Sequence, residues 1–295
     1  MHPELLYLNS LLVKVGRRVP PVVAKQIASG ELIKIASRRF VLRKDIVQLR
    51  NYQRRILMTL AAAQSVNSSY LLGSSAARLH GMWTIDESEP ILLATKSGTV
   101  PPRTKWPSGC TYLRQATAPE QVVEILGATA IDPVGAWLQI ATTQGFPAGL
   151  VAADWLLANN FTVLELRKRI DQAGVQKGIH HARRSLEHAI PNSDSAGESF
   201  ARALLIEAGI GPLVAQAQVV APFSIDILVA GKIAIEIDGD IKYSQNPDTA
   251  IKQERFREKL IQNKGYRILR YSPAQLHARP EAFIAEVRRA LEHAA

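Results

Sequence analysis

The sequence predicts a protein of the α/β (α+β) class, with a small basic N-terminal domain, a mostly helical middle region and a C-terminal mixed sheet flanked by helices. Its 295 residues are enough for two or three domains, each with its own core. Apolar residues make up 47% and charged residues 21% of the chain, which is typical of a globular protein. Runs rich in Val, Ile and Leu near the C-terminus predict paired strands. The predicted domain boundaries are 1–45, 46–190 and 191–295.

The first 45 residues have the element order of a winged helix. Helices are expected at residues 3–14 and 22–29, with a turn between them. A basic hairpin follows, with strands at residues 32–36 and 39–42. Pro20-Pro21 opens the second helix, because proline is tolerated in a first turn. In this fold the second helix enters a DNA major groove and the hairpin contacts the backbone. Winged helices also bind proteins, and that alternative stays open.

Positive charge is concentrated in the same segment. Residues 1–55 carry 12 Lys and Arg against 3 Asp and Glu, a net +9 of the total +10. This asymmetry predicts contact with a polyanion, although a basic surface also aids solubility. Lys and Arg release counterions when they bind DNA. The expected phosphate contacts are Lys25, Lys34, Arg38 and Arg39.

The middle region carries no chemical signature by itself. Helices are expected at residues 46–64, 74–80, 133–142, 148–159 and 163–173, and strands at 90–95 and 111–113. The second of these helices has serines near its start and Gly81 at its end, as capped helices do. The adjacent His180 and His181 are expected on a solvated face rather than in a metal site.

The last hundred residues predict the element order αβββαβα, which is a mixed sheet with flanking helices. The expected elements are a helix at 196–208, strands at 214–220, 223–229 and 233–238, a helix at 249–263, a strand at 266–271 and a helix at 280–294. Gly209 and Gly265 follow the first two helices.

Three carboxylates in two adjacent predicted strands are the most informative feature of the chain. Glu236 and Asp238 lie on one face of their strand, at period two, and Asp226 lies in the preceding strand. Like charges this close repel unless a cation or a proton holds them, so the pattern indicates a divalent metal. The alternative is structural, because Asp238-Gly239 is also a hairpin turn signal and edge strands often carry charges.

The order and spacing of these residues resemble the PD-(D/E)XK nuclease core, and in particular its Vsr-like endonuclease domains. The resemblance covers residues 195–278. The matching residues are Glu198, Asp226, Glu236-Ile237-Asp238-Gly239, Lys242-Tyr243, Glu254-Arg255-Phe256-Arg257-Glu258 and Gly265-Tyr266-Arg267-Ile268-Leu269-Arg270.

The resemblance implies a metal-dependent endonuclease. It makes Asp226 and Glu236 ligands of Mg²⁺ or Mn²⁺, with Glu198 holding a second metal or orienting a water. The implied catalytic residues are Glu198, Asp226, Glu236, Asp238 and Lys242, of which Lys242 would be the cation beside the nucleophile or the phosphate. Contacts to the nucleic acid backbone are implied for Arg255, Arg257 and Lys259.

Two positions depart from the family pattern, and two have structural alternatives. Asp238 stands where the usual lysine is found, so Lys242 would take over its role, and Ile225 replaces the usual proline. Ser195 and Glu198 also form a capping-box pattern, which explains Glu198 without catalysis. The basic residues of the helix that follows could equally form salt bridges along it.

Upstream, the chain resembles actinobacterial proteins that join an AbiEi-like antitoxin domain to such a nuclease. The residues that carry this resemblance are the basic winged helix, Ser74-Ser75-Ala76-Ala77-Arg78-Leu79-His80-Gly81 and the helical stretch around Asp132 and Ala152-Ala153-Asp154.

The sequence therefore predicts a DNA endonuclease guided by its winged helix. The alternatives are a DNA-binding regulator or antitoxin of AbiEi type with an inactive nuclease-like domain, and a middle region that binds a partner in a toxin or defence system. A homodimer stays open. A cytoplasmic protein is expected, since the start is unlike a signal peptide, no apolar run would span a membrane, and a single cysteine excludes an internal disulfide.

Overall fold

The computed structural model describes residues 3–85, 89–115, 118–221, 223–238 and 256–293. The chain forms two compact units, of which the first comprises residues 1–143 and 164–179 and the second residues 144–163 and 180–295. The predicted middle region, 46–190, is thus divided between the two units, and residues 1–45 share a unit with most of it. Helices and sheets occur in both, which confirms the α+β class. Within the described ranges, no helix has the length and apolar character needed to span a membrane.

The first unit begins with two helices and a hairpin, as predicted, to which a short strand is added. The elements are α1 (Pro3–Ser10), β1 (Val13–Lys14), α2 (Pro21–Ala28), β2 (Leu32–Ala36) and β3 (Arg39–Leu42). The predicted first helix ends early, because Val13 and Lys14 pair antiparallel with β3 and complete a sheet of order β1-β3-β2. Val15, Leu32 and Phe40 form a small core, against which α2 packs Val23 and Ile27.

The rest of the first unit contains a five-stranded sheet of order β6-β5-β4-β8-β7. Its elements are α3 (Arg43–Gln48), α4 (Asn51–Ala63), β4 (Ser69–Leu71), α5 (Gly73–His80), β5 (Ile91–Thr95), β6 (Cys110–Tyr112), β7 (Val122–Ile125), β8 (Ala128–Ile131), α6 (Pro133–Gln144) and α8 (Val163–Ala173). Only β5 and β6 were predicted. The other three strands have three or four residues and too few repeats for a recognisable period, and β6 is equally short.

Two helices of this unit differ from prediction in their ends. The helix expected at 46–64 is broken into α3 and α4, because Leu49 and Arg50 have extended backbones. Gly81 ends α5 with a positive φ of 74°, as predicted. The prediction of a serine cap for that helix is wrong, since Leu72 occupies the N-cap position and makes no side-chain capping hydrogen bond. Ser75 instead lies buried and accepts a hydrogen bond from the Leu92 amide of β5.

The second unit is built on a four-stranded sheet of order β12-β11-β10-β9. Its elements are α7 (Phe146–Ala158), α9 (Ile179–His188), α10 (Ala196–Glu207), β9 (Leu213–Val220), β10 (Phe223–Val229), β11 (Ile233–Ile237), α11 (256–263), β12 (Arg267–Tyr271), α12 (Pro273–Ala278) and α13 (Pro280–His293). β9, β10 and β11 run antiparallel, and β12 is parallel to β11. The predicted order of residues 191–295 holds, except that α12 was not foreseen and the start of the helix expected at 249–263 lies outside the described residues. Upstream of these residues, α9 was also not among the predicted helices.

A buried ion pair joins α7 to α10. Arg202 donates from Nη2 to both carboxylate oxygens of Asp154, at 2.8 and 2.7 Å. The same carboxylate accepts from the Ser199 hydroxyl at 2.7 Å and from the Ile190 amide at 2.8 Å. Asp154 has 0% of its surface exposed. Since water cannot replace these partners, the loss of either charge would leave the other buried and unpaired.

We therefore expect Asp154→Asn to destabilise the second unit strongly. The uncompensated Arg202 charge should lower the free energy of unfolding by about 3 kcal/mol or more. Urea denaturation followed by circular dichroism measures the change. Glu187→Gln is the matched control, since it removes an exposed carboxylate from the same unit, and it should shift the midpoint little. Equal effects of the two substitutions would contradict the assignment.

Candidate active site

Two carboxylates lie side by side at one end of the second sheet, and a third is within electrostatic range of one of them. Asp226 and Glu236 lie on the neighbouring strands β10 and β11, where each is one residue beyond the paired Ile227 and Ile235. The Asp226 carboxylate accepts a hydrogen bond from the Ile237 amide at 2.7 Å, which fixes it against β11. Glu198 lies in the first turn of α10, where burial and then the negative charge of Asp226 raise its pKa. The structure thus places Asp226 beside Glu236 and puts Glu198 within electrostatic range of Asp226.

The pKa of Glu236 is strongly shifted. Every residue of β11 is buried, and Glu236 itself is only 3% exposed. Burial disfavours the charged carboxylate and, with the negative charge of Asp226, raises its pKa to about 7. Arg257 opposes this rise. Its Nη2 donates to both Glu236 oxygens at 2.8 Å and to the Ser224 carbonyl at 2.7 Å.

Glu198 is held by its own set of donors. Ser195 is the N-cap of α10 and accepts from the Glu198 amide, so the predicted capping interaction is present. The Glu198 carboxylate accepts from the Ser195 hydroxyl at 2.8 Å, from the Asp194 amide at 3.1 Å and from Gln216 Nε2 at 2.8 Å. Burial, followed by the charge of Asp226, raises its pKa. Capping and proximity to Asp226 therefore coexist at this residue.

The remaining predicted site residues lie in varied surroundings. Asp238 follows β11 and accepts from Arg270 Nη1 at 3.4 Å, with 43% of its side chain exposed. Lys259 is exposed on α11. Arg257 was expected to contact nucleic acid, and here it is ion-paired with Glu236. Lys242 and Arg255 lie outside the described residues.

Sequence reasoning missed Gln216 and Ser224, which connect Glu198 to the sheet. Gln216 lies in β9 with a positive φ of 50°, next to a register shift between Phe223 and Ser224. Its Oε1 accepts from the Ser224 hydroxyl at 2.9 Å while its Nε2 reaches Glu198. Non-glycine residues in this backbone region concentrate at functional sites. A polar residue in an apolar strand was the available signal, but it does not predict this backbone conformation.

The donor set fits a hard divalent cation. Carboxylate oxygens are the ligands that Mg²⁺ and Mn²⁺ prefer, and such an ion would stabilise the buried Glu236 beside the half-buried, also negative Asp226. In the described part of the chain, no three His, Cys, Asp or Glu residues are grouped as a metal would require. Arg257 holds the Glu236 oxygens instead. A cation bound by Asp226 and Glu236 would therefore need water ligands and would compete with the Arg257 guanidinium.

The basic residues of the first unit are mostly available to a ligand. Lys25 on α2, Lys34 on β2 and Arg38 in the hairpin turn are exposed. Arg39 is half-buried and donates to the side chain and the carbonyl of Gln64, at 3.1 and 2.7 Å. Arg39 therefore anchors the hairpin to the residue that follows α4, while the other three cations face solvent.

Comparison of the chain with protein-family models, with curated proteins and with solved structures found no match.

The pKa of Glu236 predicts how stability depends on pH without metal. Below about pH 4.5 the carboxyl is protonated in both states, and up to about pH 7 the folded state alone retains the proton. The free energy of unfolding should therefore fall as pH rises through this window. Relative to the variant Glu236→Gln, the native chain should lose up to about 3 kcal/mol of its free energy of unfolding across this pH window.

Urea denaturation in EDTA at a series of pH values measures this difference. The exposed-site variant Glu187→Gln should instead run parallel to the native chain. If the free energy of unfolding of Glu236→Gln also changed with pH in parallel with that of the native chain, the pKa of the Glu236 carboxyl would not be raised by folding.

Proposed function

We propose that the chain is a metal-dependent endonuclease that hydrolyses DNA phosphodiester bonds. The observation that carries the proposal is the pair of buried Glu236 and half-buried Asp226 on adjacent strands, in which burial and then the charge of Asp226 raise the pKa of Glu236 to about 7. A fold that needed no cation here would gain stability from an apolar residue in a fully buried strand. The order of a helix, three antiparallel strands and a parallel fourth strand supports a PD-(D/E)XK nuclease core.

In the proposed mechanism, Asp226 and Glu236 would hold Mg²⁺ or Mn²⁺. When bound, such an ion would supply an activated water and would offset charge that develops on the scissile phosphate. Glu198, oriented by Ser195 and Gln216, holds a second ion or a water through its carboxylate. Lys242 is assigned to the nucleophile or the phosphate. Arg257, once displaced from Glu236, would contact the nucleic acid backbone beside Lys259.

Binding to DNA is assigned to the first unit. The helix α2 and the β2–β3 hairpin follow the order of a winged helix, and Lys25, Lys34 and Arg38 are exposed on them. Such cations contact phosphates and contribute affinity without sequence preference. This segment would deliver the nuclease to DNA in the cytoplasm.

A second candidate is a DNA-binding regulator or antitoxin of AbiEi type whose nuclease-like unit is inactive. The observation in its favour is the ion pair of Arg257 with both oxygens of Glu236. This pairing satisfies the buried carboxylate without any metal, as a decayed site would require. A partner in a toxin or defence system would fit this candidate.

Cleavage assays separate the two candidates. With Mg²⁺ or Mn²⁺, the native chain should cut supercoiled plasmid, and EDTA should abolish cutting. Asp226→Asn and Glu236→Gln should each lower the rate by about a hundredfold or more, since transition-state charge stabilisation is lost. Single-stranded DNA and RNA, run in parallel, identify the polymer that is cut.

The variant Glu187→Gln should cut like the native chain, because it removes an exposed carboxylate outside the site. Failure to cut any polymer with either ion, together with intact DNA binding, would favour the regulator.

DNA binding should depend on salt through the three exposed cations. Changing Lys25, Lys34 and Arg38 together to Gln should reduce the slope of log affinity against log salt by roughly 2 to 3, since each lost phosphate contact contributes about 0.9. Fluorescence anisotropy with labelled duplex DNA measures the slope.

A control with the same loss of charge changes Lys96, Arg167 and Lys168, which are exposed elsewhere in the first unit. An equal loss of slope in this control would mean that net charge, and not the helix and hairpin, attracts DNA.

A further inference from the structure

The first unit contains a polar cleft separate from the helix and hairpin assigned to DNA. Its volume is about 520 Å³, within the usual range of roughly 300 to 1,000 Å³ for small-molecule sites. It lies beside the start of α5, the C-terminal half of α6 and the end of α8, and the segment after β6 closes one side. Neither the carboxylate site nor the basic hairpin contributes to this cleft.

The charge of the cleft is positive. Arg114, Arg169 and Lys177 line it, and among the described residues of its lining none is acidic. Asp132 neutralises part of this charge, since its Oδ2 accepts from Arg169 Nη2 at 2.8 Å. The other terminal nitrogen of Arg169, Nη1, is buried and has no hydrogen-bond partner. A buried guanidinium donor without a partner is costly, and a small shift of the Arg169 side chain toward the cleft would let an anionic oxygen satisfy it.

Gly135 makes room for this guanidinium. A Cβ atom at position 135 would stand 2.9 Å from Arg169 Nη1 and 2.7 Å from two side-chain atoms of Ile131. A larger residue at position 135 would therefore displace Ile131, Arg169 or both. Since Gly135 is itself part of the lining, α6 leaves the Arg169 head against the cleft.

Amide side chains form much of the remaining wall. Gln139 accepts from the Gly73 amide at 2.7 Å and donates to Gln115, so these two glutamines are fixed. Gln172 and Gln176 also line the cleft and are exposed to solvent. A glutamine amide both donates and accepts, as the edge of a nucleobase requires. Leu92 and Leu113 supply apolar surface for a flat ring.

We propose that this cleft binds a nucleoside phosphate. The phosphate is held by Arg114, Arg169 and Lys177. Together these side chains carry more positive charge than Asp132 neutralises. Gln172 and Gln176 contact the base. A free nucleotide and the phosphorylated end of a strand share this chemistry.

Isothermal titration calorimetry of the full chain, in EDTA to exclude metal-mediated binding elsewhere, tests the proposal. The probes are the four 5′-ribonucleoside monophosphates, adenosine, inorganic phosphate and a 5′-phosphorylated trideoxynucleotide. At least one monophosphate should bind more than about tenfold more tightly than adenosine or phosphate alone, because both halves of the ligand contribute charge-assisted or amide hydrogen bonds. Tighter binding of the trinucleotide would support the site and assign it to a strand end.

The variant Arg114→Gln with Lys177→Gln changes two exposed residues, and circular dichroism verifies its fold. It should weaken the monophosphate by about tenfold or more, through the loss of two charge-assisted contacts. Arg167→Gln with Lys168→Gln removes the same charge from exposed positions outside the cleft and should bind normally. Absence of binding by every probe, or an equal response of the two variants, overturns the proposal. Equal affinity for phosphate and for all four monophosphates overturns the assignment of the base contacts.

Discussion

Glu236 lies in an interior strand of the second sheet, where a negative charge needs a positive partner, and the local structure is arranged to supply one. Asp226 on the next strand increases the need because it is also negative. Arg257 meets it from α11, a helix that lies between β11 and β12 in the chain. The sheet and this helix are thus linked by electrostatics as well as by the apolar packing of Ile261 against Ile225 and Ala234.

The two candidate functions differ in what occupies the same carboxylates. In a nuclease, a divalent ion would displace the Arg257 guanidinium from Glu236. Arg257 would then be free to contact the substrate. In a regulator, the ion pair is permanent and serves the fold. Gln216 bears on this choice, since an unusual backbone conformation in β9 is maintained where its side chain can hold Glu198. A purely structural cap at Ser195 would not need that third donor.

Sequence patterns predicted the second sheet far better than the first unit. β10 was predicted with its observed bounds, and β9 and β11 to within one residue at an end, because apolar runs of five to eight residues between Pro and Gly leave few choices. β4, β7 and β8 are too short for a period, and their pairing is decided by distant partners such as Leu71 with Ala130. The positions of Asp226 and Glu236 on adjacent strands were predicted from the sequence pattern, and Glu198 was added from the family resemblance. The pairing of Arg257 with Glu236 was not, because sequence cannot reveal which cation a crossover helix turns inward.

The parallel pairing of β11 with β12 also has a kinetic consequence. Ile233 lies opposite Arg267, thirty-four residues later, whereas β9, β10 and β11 are joined by short turns. Closing a long loop costs more entropy than closing a hairpin, so the antiparallel strands have the easier contacts to form. Asp226 and Glu236 would then meet before α11 and β12 dock. During synthesis and folding, the carboxylate pair would pass through a stage without its arginine, in which a proton or a cation from the solvent is the available counterion.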